Sequence, residues 1–185
     1  MENAASDTIK NKAKNIKLII FDVDGVLTDG SLYFDNQGQE YKAFNSKDGH
    51  GIRLLLDNGV EVALITGRNS ELLKHRADNL KISPDLIYQG YRDKLPAFAD
   101  LMKKTGLDKK HIAYIGDDVI DLPILSQAGL SIAVADAHWF VKKHVDLITA
   151  QSGGRGAVRE ACEFILEAKG ELDAIFDSYL HNKID

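Results

Sequence analysis

The chain has 185 residues, with 28 Asp and Glu against 23 Lys and Arg and a formal net charge of -5 at pH 7. That length suits one domain with a sizeable core, and the charge argues against nucleic acid as the main partner. The single cysteine, Cys162, excludes an intrachain disulfide or a thiolate zinc cluster.

Residues 1–15 read as an N-terminal arm, mobile or weakly helical, and they lack the apolar core of a signal peptide. No stretch approaches the ~18 apolar residues of a membrane span. A reducing compartment, with the cytoplasm as the default, is expected. Leu18-Ile19-Ile20-Phe21 then runs without a polar break into Asp22-Val23-Asp24-Gly25, the pattern of a buried parallel strand ending at a polar site. Asp22 and Asp24 stand two residues apart, so they point along one face. Their repulsion is relieved by a cation between them or by a shared proton.

Ser31 to Phe34 and Glu40 to Phe44 flank the turn-forming residues 35–39 and predict a β-hairpin over about 31–44. Both its faces carry apolar groups, which calls for a covering surface and suggests self-association. A helix from Ser46 ends at Asn58-Gly59, and the strand Val60 to Ile65 stops at Thr66-Gly67-Arg68. Next come a helix over about 70–80, a short strand over 85–88 and a helix over 93–104. The strand 111–115 ends in Gly116-Asp117-Asp118 and is followed by a helix over 119–128 and strands over 131–134 and 145–148. After Gly153-Gly154-Arg155-Gly156, residues 157–169 are helical. The segment 169–185 carries an amphipathic tail helix with Leu172, Ile175, Phe176, Tyr179 and Leu180 on one side. This alternation predicts an α/β fold, a Rossmann-like three-layer sandwich around a central parallel sheet, with a β-hairpin inserted after the first strand.

In such a sheet ligands bind beyond the carboxyl ends of the strands. Asp22 and Asp24, Thr66, Asp117 and Asp118 end three strands, and Lys94 opens a helix after Gly90. Together they supply carboxylates for a metal, a hydroxyl and backbone N–H groups for phosphate oxygens, and a fixed cation, the set that phosphoryl transfer uses. Each has a plainer reading. The acids suit a turn, Thr66 a helix cap, Lys94 a solvated surface, Asp121 a structural helix position and the glycines a flexible hinge. The six histidines lack paired ligand spacing and are read as non-catalytic. Trp139 is read as a packing residue and Cys162 as a buried small hydrophobe.

Asp22-Val23-Asp24-Gly25, Thr66, Lys94 and Gly116-Asp117-Asp118-Val119-Ile120-Asp121 resemble, in order and spacing, the four motifs of the haloacid dehalogenase superfamily. Residues 25–30, the hairpin, Lys47-Asp48-Gly49 and residues 153–160 further resemble the branch of that superfamily acting on 3-deoxy-D-manno-octulosonate 8-phosphate. That resemblance spans about residues 16–166. It implies a hydrolase domain over 16–168 and a Mg²⁺-dependent phosphatase of lipopolysaccharide precursor synthesis, working through an aspartyl-phosphate. A phosphatase for a nine-carbon sialic-type 9-phosphate and a non-catalytic oligomerisation module are the alternatives.

The implied roles are Asp22 as nucleophile and Asp24 as proton shuttle. Thr66 would bind a phosphate oxygen and Lys94 would offset charge. Mg²⁺ would lie on Asp22, the Asp24 carbonyl and Asp117, with Asp118 and Asp121 behind. Neither gap between the motifs has room for a cap domain, so the resemblance implies a capless homotetramer whose sites are shared between subunits and whose glycine-rich segment folds over the mouth. Lys47, Arg68, Arg76 and Arg155 are the candidate cations for the sugar acid.

Overall fold

The computed structural model describes residues 2–181. In chain order the elements begin with helix α1 (Glu2–Lys14), strand β1 (Leu18–Phe21), a tight turn over Val23–Leu27, strands β2 (Tyr33–Phe34) and β3 (Glu40–Tyr41), helix α2 (Ser46–Asp57) and strand β4 (Glu61–Ile65). Helix α3 (Glu71–Asn79), strand β5 (Ile87–Tyr88), helix α4 (Leu95–Thr105) and strand β6 (Ile112–Gly116) follow. The chain then forms helix α5 (Leu122–Leu125), strand β7 (Leu130–Ala133), helix α6 (Trp139–Lys142), strand β8 (Leu147–Ile148) and helices α7 (Ala157–Lys169) and α8 (Leu172–Leu180). No described helix is long and apolar enough to cross a membrane.

Six strands form one sheet in the order β5-β4-β1-β6-β7-β8, and every pairing is parallel. Every residue of β1 is fully buried, as expected of a strand covered on both faces. Phe21 pairs with Leu64 on one side and Ile115 on the other. This register brings Asp22, Thr66 and Asp117, each one or two residues beyond, to the same sheet edge. The strands β2 and β3 make a separate antiparallel hairpin, whose Leu32, Tyr33, Phe34 and Tyr41 are all exposed.

Two sequence expectations change. Residues 1–15, expected as a mobile or weakly helical arm, contain the helix α1, which docks on the core. Ala13 and Ile16 are fully buried, Ile9 packs on the core, and Lys12 reaches across to Asp146 at 2.5 Å. The single helix expected over 119–128 is a 3₁₀ turn over Val119–Asp121 followed by the short α5. Residues 182–185 of the expected tail segment lie outside the described residues.

Candidate active site

The pocket beyond the strand ends is lined by Asp22, Asp24, Thr66, Gly67, Arg68, Asp117, Asp118 and Ile120, and encloses about 210 Å³. Local folding sets each position. Asp22 leaves β1 with its N–H still bonded to Ile115 O at 3.1 Å, and Gly25 then turns the chain at φ +91°. A side chain at Gly25 would be strained by that φ and would place its Cβ 2.1 Å from Asp117 Oδ2. Thr66, buried at the end of β4, is held by backbone bonds to Tyr88 and Tyr91, and its hydroxyl accepts the Arg68 N–H at 3.2 Å.

Lys94 is the centre of a buried network. Its Nζ lies 2.8 Å from Asp22 Oδ1, 2.6 Å from Asp121 Oδ1 and 3.0 Å from the Tyr114 hydroxyl, which itself donates to Asp121 Oδ1 at 2.5 Å. Asp121 Oδ2 accepts the backbone N–H groups of Asp117 and Asp118. Burial works against the Lys94 charge, but Asp22 and Asp121 outweigh it and raise its pKa. Burial, then the charges of Asp121 and Asp22, pushes the Tyr114 phenol up, so it stays a neutral donor.

The carboxyls of Asp22 and Asp117 are both raised above the ordinary carboxylate range. Desolvation is the main cause, followed for Asp22 by the charge of Asp121 and for Asp117 by the charge of Asp22. Carboxylate oxygens of Asp22, Asp117 and Asp121 lie within 4.8 Å of one another. Asp121 has both oxygens engaged by its four donors, whereas the Asp117 carboxylate receives no hydrogen bond from any described residue. Two crowded acids with one left undonated fit a hard divalent cation that takes oxygen ligands. Asp24 turns one carboxylate oxygen, Oδ1, onto Lys42 Nζ.

The structure therefore gathers Asp22, Asp24, Thr66, Lys94, Asp117 and Asp118 at one edge, with Asp121 directly behind Lys94. Asp118 caps the 3₁₀ turn, accepting from Val119 N at 2.7 Å. Of the four candidate sugar cations only Arg68 lines this pocket. Lys47 borders a separate groove that also takes in Arg155 and Arg159. Arg76 lies over the Phe44 ring and donates to Asn45 O at 3.2 Å, and Arg155 pairs with Asp29 at 3.1 Å. These three are carried by α2, α3 and the glycine loop and do not line that pocket.

The glycine segment is also not a free flap. Gly154 N donates to Val26 O at 2.8 Å and Gly153 N to Asp136 Oδ1 at 2.9 Å. A Cβ on Gly153 would stand 1.8 Å from Gly25 O, so this loop braces the turn that follows Asp24.

Sequence reading did not find Tyr114, Glu40 or Lys42. Tyr114 hides in an apolar strand. Glu40 and Lys42 are two apart in an extended segment and hence on one face, and that Glu-x-Lys pair in an aromatic hairpin was the available signal. Lys42 Nζ also lies 2.9 Å from Glu40 Oε1, and Glu40 Oε2 lies 3.0 Å from Arg68. Lys42, and then Arg68, hold the Glu40 carboxyl below its usual range against the effect of burial.

Residues 85–161 match the family model of haloacid dehalogenase-like hydrolases. The chain is 51% identical over 162 residues to 3-deoxy-D-manno-octulosonate 8-phosphate phosphatase KdsC of Escherichia coli K12, covering 88% of this chain and 85% of that protein. The crystal structure of the phosphatase of that name from Yersinia pestis superposes with a TM-score of 0.88 at 48% identity, over 90% of this chain and 89% of that one. The one from Moraxella catarrhalis, in complex with magnesium ion, phosphate ion and KDO, superposes with a TM-score of 0.89 at 44% identity, over 92% and 97% of the two chains. With the motifs on one sheet edge and this likeness along nearly its whole length, the chain belongs to the haloacid dehalogenase-like hydrolases, in the family of the 3-deoxy-D-manno-octulosonate 8-phosphate phosphatases.

Proposed function

We propose that this protein is a Mg²⁺-dependent phosphatase that hydrolyses 3-deoxy-D-manno-octulosonate 8-phosphate to the free sugar acid and phosphate in lipopolysaccharide precursor synthesis. The observation that carries the proposal is the Asp22–Lys94–Asp121 network beside an undonated Asp117, in a chain about half identical to phosphatases of that name.

Mg²⁺ would be held by Asp22, Asp117 and the Asp24 carbonyl, and it supplies charge neutralisation for the phosphate oxygens. Lys94 fixes Asp22 Oδ1 and holds a positive charge beside the reacting phosphoryl group. A carboxylate oxygen of Asp22 attacks phosphorus, the bond from phosphorus to the sugar oxygen breaks, and Asp24 passes its proton to that oxygen. The product on the protein is an aspartyl-phosphate. Asp24, now a base, takes a proton from the water that attacks phosphorus, which frees Asp22 and phosphate. Thr66 donates a hydrogen bond from its hydroxyl to a phosphate oxygen. Arg68, at the mouth, carries the charge that suits the sugar carboxylate.

The exposed aromatic hairpin and the absence of a cap support a homotetramer that completes each site with a neighbouring subunit, and the cytoplasm is the compartment we assign. The name of the relatives favours the eight-carbon substrate. The test is a phosphate-release panel of eight- and nine-carbon acid-sugar phosphates and simple esters, with Mg²⁺ and with chelator. The eight-carbon ester should turn over best, chelator should stop it, and Asp22→Asn should abolish turnover while the fold and assembly persist. Preference for the nine-carbon ester would overturn the substrate assignment. Activity surviving in Asp22→Asn would overturn the mechanism.

A further inference from the structure

Lysines on an exposed two-stranded hairpin ordinarily run their stems along the surface and leave the ammonium in water. Lys42 does the opposite. Its side chain is only 2% exposed, although Leu32, Tyr33, Phe34 and Tyr41 of the same hairpin are 47–57% exposed. The ammonium is drawn inward between two carboxylates, Asp24 Oδ1 and Glu40 Oε1. An ammonium taken out of water at this depth costs stability unless it is paired, so the placement depends on those two acids.

The same contact is what fixes Asp24. Among the described residues, Lys42 is the only hydrogen-bond donor to the Asp24 side chain. Asp24 follows no cap or helix that would set its rotamer, since it lies in a turn with non-helical φ and ψ before Gly25. With Oδ1 held by Lys42 from the hairpin side, Oδ2 is left for the pocket that Asp24 lines with Asp22 and Thr66. Glu40 extends the chain of charges to Arg68 at the end of β4. The hairpin is thereby tied to two of the pocket's loops through one buried cation.

We propose that Lys42 is a positioning residue for this reaction, holding the Asp24 carboxyl where it meets the oxygen of the leaving sugar. The inference rests on the reading of Asp24 as proton shuttle given above. A misplacement of a reacting group by about 1 Å can cost on the order of a hundredfold in rate. In kcat/KM, which ends at departure of the leaving group, the effect belongs to the step in which the leaving oxygen is protonated, and the water step that Asp24 also serves comes after it. A leaving group that departs readily as an anion does not need that step.

The experiment compares the wild type, Asp22→Asn, Lys42→Met and Lys42→Gln, each as the full chain with Mg²⁺. Initial rates are taken on 3-deoxy-D-manno-octulosonate 8-phosphate and on p-nitrophenyl phosphate, and thermal melts are recorded alongside. Lys42→Met should lose about 10- to 100-fold in kcat/KM on the sugar phosphate. On the aryl ester it should lose less than about threefold in kcat/KM, since that leaving group departs without a proton. Lys42→Gln should show the same selective loss and carries the test if the methionine variant does not fold. Equal losses in kcat/KM on both esters, or no loss on the sugar phosphate, would overturn the role of Lys42 while an inactive Asp22→Asn left the parent reading standing. A wild type without phosphatase activity, or an active Asp22→Asn, would instead bring down the parent reading and this inference with it.

Discussion

Tyr114 shows how much of this site depends on a single hydroxyl in the core. It is fully buried in β6 and both donates to Asp121 and accepts from Lys94. Replacing it with Phe keeps the ring volume and removes only the oxygen, which leaves one donor of Lys94 and one acceptor site of Asp121 without a partner. A buried polar group left unsatisfied costs about 1–3 kcal/mol, so Tyr114→Phe should lower the unfolding free energy by that amount, read as a lower urea midpoint at unchanged m. Lys94 keeps its two carboxylates, so the variant should retain Asp22-dependent turnover at a reduced kcat. An unchanged midpoint would mean that water or a shifted Lys94 takes the place of the hydroxyl.

At the scale of elements, the turn after β1 is held from behind by the loop before α7. Gly154 donates to Val26, and Gly153 approaches Gly25 O so closely that no side chain fits between them. Asp48, buried at the start of α2, accepts the N–H groups of Gly156 at 3.2 Å and Arg159 at 2.9 Å, which anchors the other end of that loop. Gly153→Ala must push two backbones apart, and overpacking of this kind costs about 1–3 kcal/mol. The displaced segment is the turn that carries Asp24, so kcat should fall together with the melting temperature. Full activity in Gly153→Ala would show that the turn tolerates the shift.

The elements themselves were legible in the sequence where an apolar run ends at an acid or a threonine. Asp22, Thr66 and Asp117 could be placed on one edge because parallel strands in register put their ends together. The brace, the hairpin's inward Lys42 and the splayed positions of Lys47, Arg76 and Arg155 were not legible, since each depends on how one loop lies on another. Whether residues 1–15 were mobile or helical stayed open in the sequence because their few apolar positions find a partner only once α7 is in place.

For the whole molecule, the crowded acids make stability depend on pH and metal together. Asp22 and Asp117 are raised in the folded, metal-free state from 3.8 to about 7 and about 8. The folded state therefore binds protons that the unfolded chain releases. The stability contributed in this way is fully present below pH 3.8 and is lost as pH rises through about 7 and 8. A divalent cation takes the place of those protons, so it competes with them at low pH and relieves the repulsion at high pH. The melting temperature without metal should accordingly fall between pH 6 and 8.5. Mg²⁺ at about a hundredfold over its dissociation constant contributes about 2.7 kcal/mol. For a chain of this size that is a rise of about 5–10 °C, and it should be largest at pH 8.5 and shrink toward pH 6. Asp117→Asn removes one of the two acids, so it should flatten the metal-free profile and abolish most of the Mg²⁺ shift. Melting curves at three pH values, with Mg²⁺ and with chelator, separate these outcomes. A Mg²⁺ shift that is the same at every pH would mean that the cation does not displace protons from this pair.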